Sequence, residues 1–198
     1  MNKNPLKGYY LTRVYKGDDP FMTIMDLFRE DAIAMCRKKT PYRRANMRKD
    51  DDPIAAYYDE RLATENWLRE NARTAGVDIK AQHPIYFALA TKPEPADSGR
   101  NAVSIPAEEV DLSNCSFTFD DSFINYACVE KRAYDSEEHP LRGVVLNAEQ
   151  AAAAVKKFGL LGTYDKGSRY VEVQMWSRPS IDALPQVRPQ LPKTRVKR

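Results

Sequence analysis

The sequence is poor in the residues from which disulfide frameworks and transition-metal sites are built. It has 3 cysteines, an odd number without a short paired spacing, and 2 histidines among 198 residues. A disulfide-stabilised secreted domain and a zinc ribbon both need more closely spaced ligands, so the sequence excludes both. We expect buried thiols and no bound metal.

Long apolar runs and the common glycine motifs are missing as well. No stretch approaches the roughly 20 apolar residues of a membrane helix, and residues 1–10 lack the apolar run that is typical of a secretory signal. The chain has no GxxxxGK[ST] loop, no GxGxxG turn and no GxSxG elbow, which excludes a P-loop, a Rossmann dinucleotide site and an α/β-hydrolase nucleophile. We therefore expect a cytoplasmic protein without membrane contact.

Positive charge is present, but it is concentrated in two segments. The net charge is +3, yet residues 178–198 hold six basic side chains against one acidic side chain, and four prolines punctuate them. This composition predicts a mobile, basic, proline-rich tail. The second segment, 37–49, has seven basic residues and no acidic one, which suits a loop that grips phosphates. We predict nucleic-acid contacts for Arg37, Lys38, Lys39, Tyr42, Arg43, Arg44, Arg48 and Lys49.

Residues 1–177 carry the hydrophobic patterns of one α+β domain with a mixed or antiparallel sheet flanked by helices. Alternating patterns predict strands, and apolar residues at helical spacing predict helices that begin after Asp19 and Asn147 and end before Gly76 and Gly159. Segment 123–134 is predicted as a strand, with a short helix as the alternative. The predicted strands are 8–15, 85–90, 102–105, 115–119 and 169–176, and the predicted helices are 20–36, 53–75 and 148–158.

The late strand 168–176 has two faces of different character. Its apolar residues Val171, Val173 and Met175 alternate with Tyr170, Glu172, Gln174 and Trp176. Because successive strand side chains point to opposite sides, the first set is predicted to face the core. A carboxylate beside an amide and two aromatic rings favours a cleft wall for the second set.

Polar residues on three strands resemble the pattern of the ADP-ribosyltransferase superfamily, which includes toxins that modify nucleic acids. In that superfamily an early strand supplies an Arg or His, a middle strand supplies Tyr and Ser or Thr, and a late strand supplies a Glu. The matching positions here are Arg13, Tyr86, Ser116 or Thr118, and Glu172, with Gln174 as the alternative occupant of the last one.

The resemblance implies an ADP-ribosyltransferase-like fold and an NAD-dependent transferase, such as a toxin or effector that modifies nucleic acid. Glu172 would be the catalytic residue, while Arg13, Tyr86, Ser116 and Thr118 would bind NAD. Breaking the bond between nicotinamide and ribose develops positive charge on the sugar, which a carboxylate stabilises. A partner protein or inhibitor is compatible with this function.

Two other functions need no NAD. The chain could be a non-catalytic nucleic-acid-binding or assembly protein that uses segment 37–49 and the basic tail. It could also be an adaptor whose proline-rich tail is bound by a partner.

Overall fold

Alternating apolar residues form the strands of an antiparallel sheet. The computed structural model describes residues 4–17, 19–39, 52–94, 100–130, 140–160 and 170–178. The strands in these ranges are β1 (Tyr10–Tyr15), β2 (Ile85–Ala90), β3 (Asn101–Pro106), β4 (Cys115–Phe119), β5 (Val145–Leu146) and β6 (Val171–Met175). The helices of at least eight residues are α1 (Arg29–Lys39), α2 (Pro53–Thr74), α3 (Ser122–Val129) and α4 (Ala148–Phe158).

The sheet has the order β3-β1-β2-β6-β4-β5, and each neighbouring pair runs antiparallel. The expectation of an α+β domain with a mixed or antiparallel sheet is thereby confirmed as an antiparallel one. Strands far apart in sequence are neighbours at its centre, because β6 lies between β2 and β4. This arrangement brings the late strand next to both middle strands.

One face of the sheet carries the main hydrophobic core. Val171 and Val173 are completely buried, and they pack with Phe87 of β2, Phe117 of β4 and the apolar side of α4, which includes Ala151. Burying one such side chain completely contributes about 1.5–3 kcal/mol. The predicted core face of the late strand is confirmed.

The opposite face of the sheet is covered by helices rather than open to solvent. Trp176 packs there with Leu68 and Ala72 of α2, and both Trp176 and Gln174 are completely buried. The expectation that this face forms a cleft wall along its whole length is therefore wrong. Helix α2 closes the end that carries Trp176, and only the end near Glu172 reaches a cavity.

Two helices begin and end where the sequence predicts. Asp52 caps α2 by accepting the backbone N–H of Ile54, and the chain leaves that helix at Gly76 with a positive φ of 84°. A capping box between Asn147 and Gln150 starts α4. Side-chain caps satisfy backbone donors that the first helical turn leaves unpaired, which explains these start points.

Two other helices differ from the prediction. The first helix begins at Arg29 instead of following Asp19, since Thr23 and Asp26 form a capping box around a short 3-10 turn, Ile24–Asp26, and α1 starts only after it. The segment predicted as strand 123–134 begins as helix α3 because Asp121 caps it through the N–H of Phe123. Local caps outweigh the hydrophobic pattern in both places.

The start of the predicted tail is tied to the domain. Arg178 Nη2 lies 2.5 Å from Asp26 Oδ1, and residues 179–198 lie outside the described residues. None of the helices in the described part of the chain combines the length and apolar character needed to cross a membrane.

Replacing Asn147 with Ala should lower the free energy of unfolding by about 1–2 kcal/mol, since it removes the α4 cap and the 2.9 Å hydrogen bond from Asn147 Nδ2 to Ala75 O. Urea denaturation of the variant tests this. Lys156→Ala, an exposed change in the same helix, should shift stability by less than about 0.5 kcal/mol. Equal stability of Asn147→Ala and wild type would contradict the assigned cap.

Candidate active site

A cavity of about 820 Å³ opens where β1 separates from β2. The two strands pair only as far as Thr12 and Ala88, whereas β1 stays paired with β3 up to Tyr15. Side chains from the diverging strands, from α2 and from α3 line the resulting space. Its size lies in the range of small-molecule binding pockets.

Glu172 lies on the cavity wall and is the most enclosed carboxyl group there. It is 6% exposed, and its Oε2 accepts the backbone N–H of Ser122 at 3.0 Å and the side-chain amide of Gln174 at 3.1 Å. Its Oε1 accepts the Tyr170 hydroxyl at 3.1 Å. Donors from a helix start, a neighbouring amide and a tyrosine therefore fix the orientation of the carboxyl group.

The surroundings of Glu172 favour its protonated form. Burial, with the nearby charge of Asp121 as the second cause, raises the pKa of Glu172 to about 7, although the N–H of Ser122 and the charge of Arg61 act in the opposite direction. A carboxyl group that titrates near neutrality in a cavity is a candidate for chemistry. Glu172 can thus change its charge in the pH range in which most enzymes work.

Behind Glu172, a polar chain runs across two strands, β4 and β6. Ser116 Oγ donates to Gln174 Oε1 at 2.9 Å and accepts the Trp176 indole N–H at 2.8 Å. Gln174 Nε2 donates to Thr118 Oγ1 at 3.0 Å as well as to Glu172. Each of these buried groups has a partner, which avoids the cost of an unsatisfied polar atom.

The hydrogen bonds of this polar chain fix the positions of three residues that the sequence predicts for the site. Ser116, Thr118 and Gln174 are completely buried and are not part of the cavity lining. In this arrangement the two hydroxyl groups hold Gln174, and Gln174 holds Glu172. The resemblance assigned Ser116 and Thr118 to NAD directly, but in the structure both are buried outside the cavity lining and hydrogen-bond to Gln174.

A second cluster surrounds Glu65 of α2. Its side chain is completely buried and accepts the Tyr86 hydroxyl at 3.0 Å, while Arg61 Nε donates to it at 3.1 Å. His83 Nδ1 lies 2.7 Å from its other oxygen. Burial raises the pKa of Tyr86 well above its ordinary value, so the tyrosine remains a hydrogen-bond donor.

Arg61 and Tyr86 form a stacked pair on the cavity wall. The Arg61 guanidinium lies 4.0 Å from the centre of the Tyr86 ring and 5.2 Å from that of Phe123. Burial opposes the charged form of Arg61, but Tyr86, Glu65 and their acidic neighbours outweigh it and raise its pKa above the ordinary value. Arg61 therefore carries a permanent positive charge at the cavity.

Arg13 also lines the cavity, at the point where the sheet opens. Its Nη1 donates to the backbone oxygen of Tyr86 at 3.1 Å and its Nη2 to that of Met22 at 2.8 Å. The guanidinium thus links β1 to β2 beyond the last paired residues of the two strands, and it also holds the segment before the first 3-10 turn. The structure brings Arg13, Tyr86 and Glu172 to one cavity, with Arg13 engaged in these backbone contacts.

The turn between β4 and α3 delivers a second carboxylate. Asp121 lines the cavity, and its Oδ2 lies 3.5 Å from the Tyr170 hydroxyl that binds Glu172. Asp120, just before it, has a φ of +81°, which is rare for a residue with a side chain. An ion pair of 2.8 Å with the almost buried Arg142 holds Asp120 in place. Strained turns of this kind recur at functional sites.

Arg61, Glu65 and Asp121 were missed by the sequence reasoning. The spacing of Arg61 and Glu65, four residues apart on a helix, signals only a common surface ion pair. Asp121 carries the signal of a helix cap, which hides any other role. Their approach to Glu172 depends on how α2 and α3 pack on the sheet, and no local pattern encodes that packing.

The predicted nucleic-acid residues are described only in part. Arg37 is paired with Asp52, the capping residue of α2, and its side chain is 58% exposed. The side chains of Lys38 and Lys39, together with Tyr42, Arg43, Arg44, Arg48 and Lys49, lie outside the described residues. Segment 40–51 joins α1 to α2, and each of these helices contributes a lining residue near that junction, Met35 and Tyr57.

Comparisons with known proteins leave the family of this chain open. No protein-family model, curated protein or solved structure matches it. Within the described ranges, no group of His, Cys, Asp and Glu side chains is arranged to hold a metal ion. The chemistry of the cavity therefore has to be inferred from its own residues.

The stability of the wild-type chain should fall relative to Glu172→Gln as the pH rises from about 5 to about 8. The folded chain holds the Glu172 proton up to a pKa of about 7, while the unfolded chain releases it near the ordinary value of 4.5, so protonation favours folding. The stabilisation by the Glu172 proton is complete below a pH of 4.5 and is lost as the pH rises past about 7.

The expected loss is up to about 3 kcal/mol, since one pKa unit corresponds to about 1.4 kcal/mol. Urea denaturation at several pH values measures it, with the exposed change Glu149→Gln as the matched control. Parallel stability curves for wild type and Glu172→Gln would contradict the burial of this carboxyl group.

Proposed function

We propose that this chain is an NAD-dependent ADP-ribosyltransferase in which Glu172 is the catalytic residue. The observation that carries the proposal is the position of Glu172, whose carboxyl group lies on the wall of a ligand-sized cavity that Arg13 and Tyr86 also line. The sequence pattern predicts the same three residues for this chemistry. An ADP-ribosyltransferase-like variant of the α+β fold belongs to the same proposal.

The proposed reaction needs a carboxylate that faces a developing cation. When the bond between nicotinamide and ribose breaks, positive charge grows on the sugar, and an ionised Glu172 stabilises that charge more than the ground state. Its three donors, Ser122 N–H, Gln174 and Tyr170, hold the oxygens in place before the reaction starts. Because these donors are fixed, little reorganisation is needed during bond breaking.

The cationic wall of the cavity suits the rest of NAD. Arg61 keeps its charge, and its planar guanidinium is supported by Glu65 and by the Tyr86 ring, which suits an anionic diphosphate. Arg13 occupies the opening between β1 and β2, where its backbone contacts make it a support for the wall. We therefore assign the diphosphate to Arg61 and a supporting role to Arg13.

The acceptor proposed from the sequence is nucleic acid. The basic segment 37–49 continues from the end of α1, and the helices on either side of it reach the cavity through Met35 and Tyr57. Arginine and lysine suit contacts with phosphates, and tyrosine suits base stacking, so we assign the acceptor to the residues of this segment.

Replacing Glu172 with Gln should reduce transfer of labelled ADP-ribose from NAD to nucleic acid by at least about 100-fold, a loss typical of removing one group that stabilises developing charge. The assay offers DNA, RNA and protein as acceptors, and Glu149→Gln serves as the control because Glu149 is an exposed α4 residue.

Equal transfer by wild type and Glu172→Gln would overturn the role of Glu172. Absence of both NAD binding and transfer in the wild type, together with nucleic-acid binding that weakens steeply with salt, would favour the non-catalytic binding protein.

The rate of the proposed reaction should rise with pH and level off above about 7. Only the ionised form of Glu172 stabilises the sugar cation, and its pKa of about 7 sets the midpoint in the free protein. The profile of kcat/KM for NAD reports that midpoint. A rate that is flat between pH 5 and pH 8 would show that a different group limits the reaction.

A further inference from the structure

Asp121 has an arrangement that its role as a helix cap does not explain. Its Oδ1 accepts the N–H of Phe123 at 2.7 Å, which caps α3, while its Oδ2 faces the cavity side and the Tyr170 hydroxyl at 3.5 Å. The same hydroxyl reaches Glu172 Oε1 at 3.1 Å. Two carboxyl groups therefore lie on either side of one tyrosine oxygen.

Serine or asparagine would cap the helix as well as aspartate without placing a second acid beside Glu172. Asp52 at the start of α2 illustrates the difference, because this capping aspartate faces the cation of Arg37. Asp121 instead faces a like charge, and that repulsion is one cause of the raised pKa of Glu172. An arrangement that costs stability at a cavity wall indicates a chemical role.

We propose that Asp121 is the general base that accepts the proton of the incoming nucleophile, and that the acceptor is therefore a neutral N–H or O–H group. This inference rests on the proposed transfer from NAD. Glu172 would hold the ribose, so the reacting carbon lies close to the tyrosine hydroxyl that joins the two acids, within reach of Asp121 Oδ2.

The step balances without a further reactant. The bond from the ribose carbon to the nicotinamide nitrogen breaks, and its electron pair leaves with the neutral nicotinamide. The nucleophile forms the new bond to the same carbon and gives its proton to Asp121, which later releases it to water. The carboxylate of Glu172 stabilises the charge on the sugar throughout and takes no proton from the acceptor.

The charges near the reacting centre select against an anionic acceptor. Asp121 and Glu172 both lie within 3.5 Å of the Tyr170 hydroxyl, so a terminal phosphate would meet two acidic groups at the point of attack. A nucleophile that is already ionised also carries no proton that Asp121 would need to accept. The acceptor atom on a nucleic acid would then be a nitrogen or hydroxyl group rather than a terminal phosphate oxygen.

The test compares Asp121→Asn and Asp121→Ser with wild type in two assays of the full chain: release of nicotinamide from NAD and transfer of ADP-ribose to an oligonucleotide. Both variants keep a capping side chain, and Asp52→Asn makes the same change at the α2 cap. Far-UV circular dichroism checks that each variant is folded. The oligonucleotide is supplied with and without terminal phosphates.

A general base contributes about 100-fold or more, so transfer by both Asp121 variants should fall by about that factor while nicotinamide release falls much less. Removing the terminal phosphates should leave wild-type transfer unchanged. Transfer at the wild-type rate by either folded variant, equal loss of release and transfer, or transfer that requires a terminal phosphate would overturn the assignment of Asp121. A wild-type chain that neither releases nicotinamide nor transfers ADP-ribose would instead refute the proposed function itself.

Discussion

The burial of Glu172 between the sheet and the start of α3 is the interaction on which the rest of the site depends. A carboxyl group that is 6% exposed must either lose its charge or find strong donors, and this one has donors from Ser122, Gln174 and Tyr170. Burial raises the pKa of Glu172, whereas the hydrogen bonds from Ser122 and Gln174 lower it, so Glu172 titrates near neutrality. The polar chain across β4 and β6 positions the Gln174 donor, and the cap of α3 positions the Ser122 donor, so both affect this pKa.

A second buried carboxylate organises the facing wall. Glu65 receives hydrogen bonds from Arg61 and Tyr86 and lies against His83, so one acid on α2 fixes a cation and an aromatic ring at the cavity. Breaking a buried charge pair of this kind usually costs several kcal/mol, which implies that the wall is rigid. The cavity thus combines a carboxyl group of adjustable charge, Glu172, with the permanently charged guanidinium groups of Arg61 and Arg13.

The sequence predicts the parts of this structure that depend on local patterns. Alternation correctly assigns Val171 and Val173 to the core, and the cap at Asn147 correctly starts α4, because each signal lies within a few residues of its effect. The first helix begins later than predicted, and segment 123–134 begins with the helix that was the alternative to the predicted strand, both for a related reason. Thr23 and Asp121 are caps whose geometry overrides a weak hydrophobic pattern.

The sequence predicts only those site residues that lie on the faces of recognisable strands. Arg13, Tyr86 and Glu172 could be proposed from the sequence because each lies on a recognisable strand, and the structure brings all three to the cavity. The residues from the helical side of the cavity could not be proposed in this way. Arg61 comes from α2 and Asp121 from the turn before α3, and the approach of both helices to the sheet depends on packing between segments far apart in sequence. The burial of Ser116 follows from the same packing.

Glu172, as a cavity carboxyl group proposed to meet the sugar of NAD, is tested most directly by its titration near neutrality. Its side-chain carbon can be followed by carbon-13 NMR against pH, with Glu172→Gln used to assign the signal. We expect a midpoint near pH 7 in the free protein and a marked shift of that midpoint when NAD is added. A midpoint near the ordinary value of 4.5, unchanged by NAD, would contradict both the burial of the group and its proposed role.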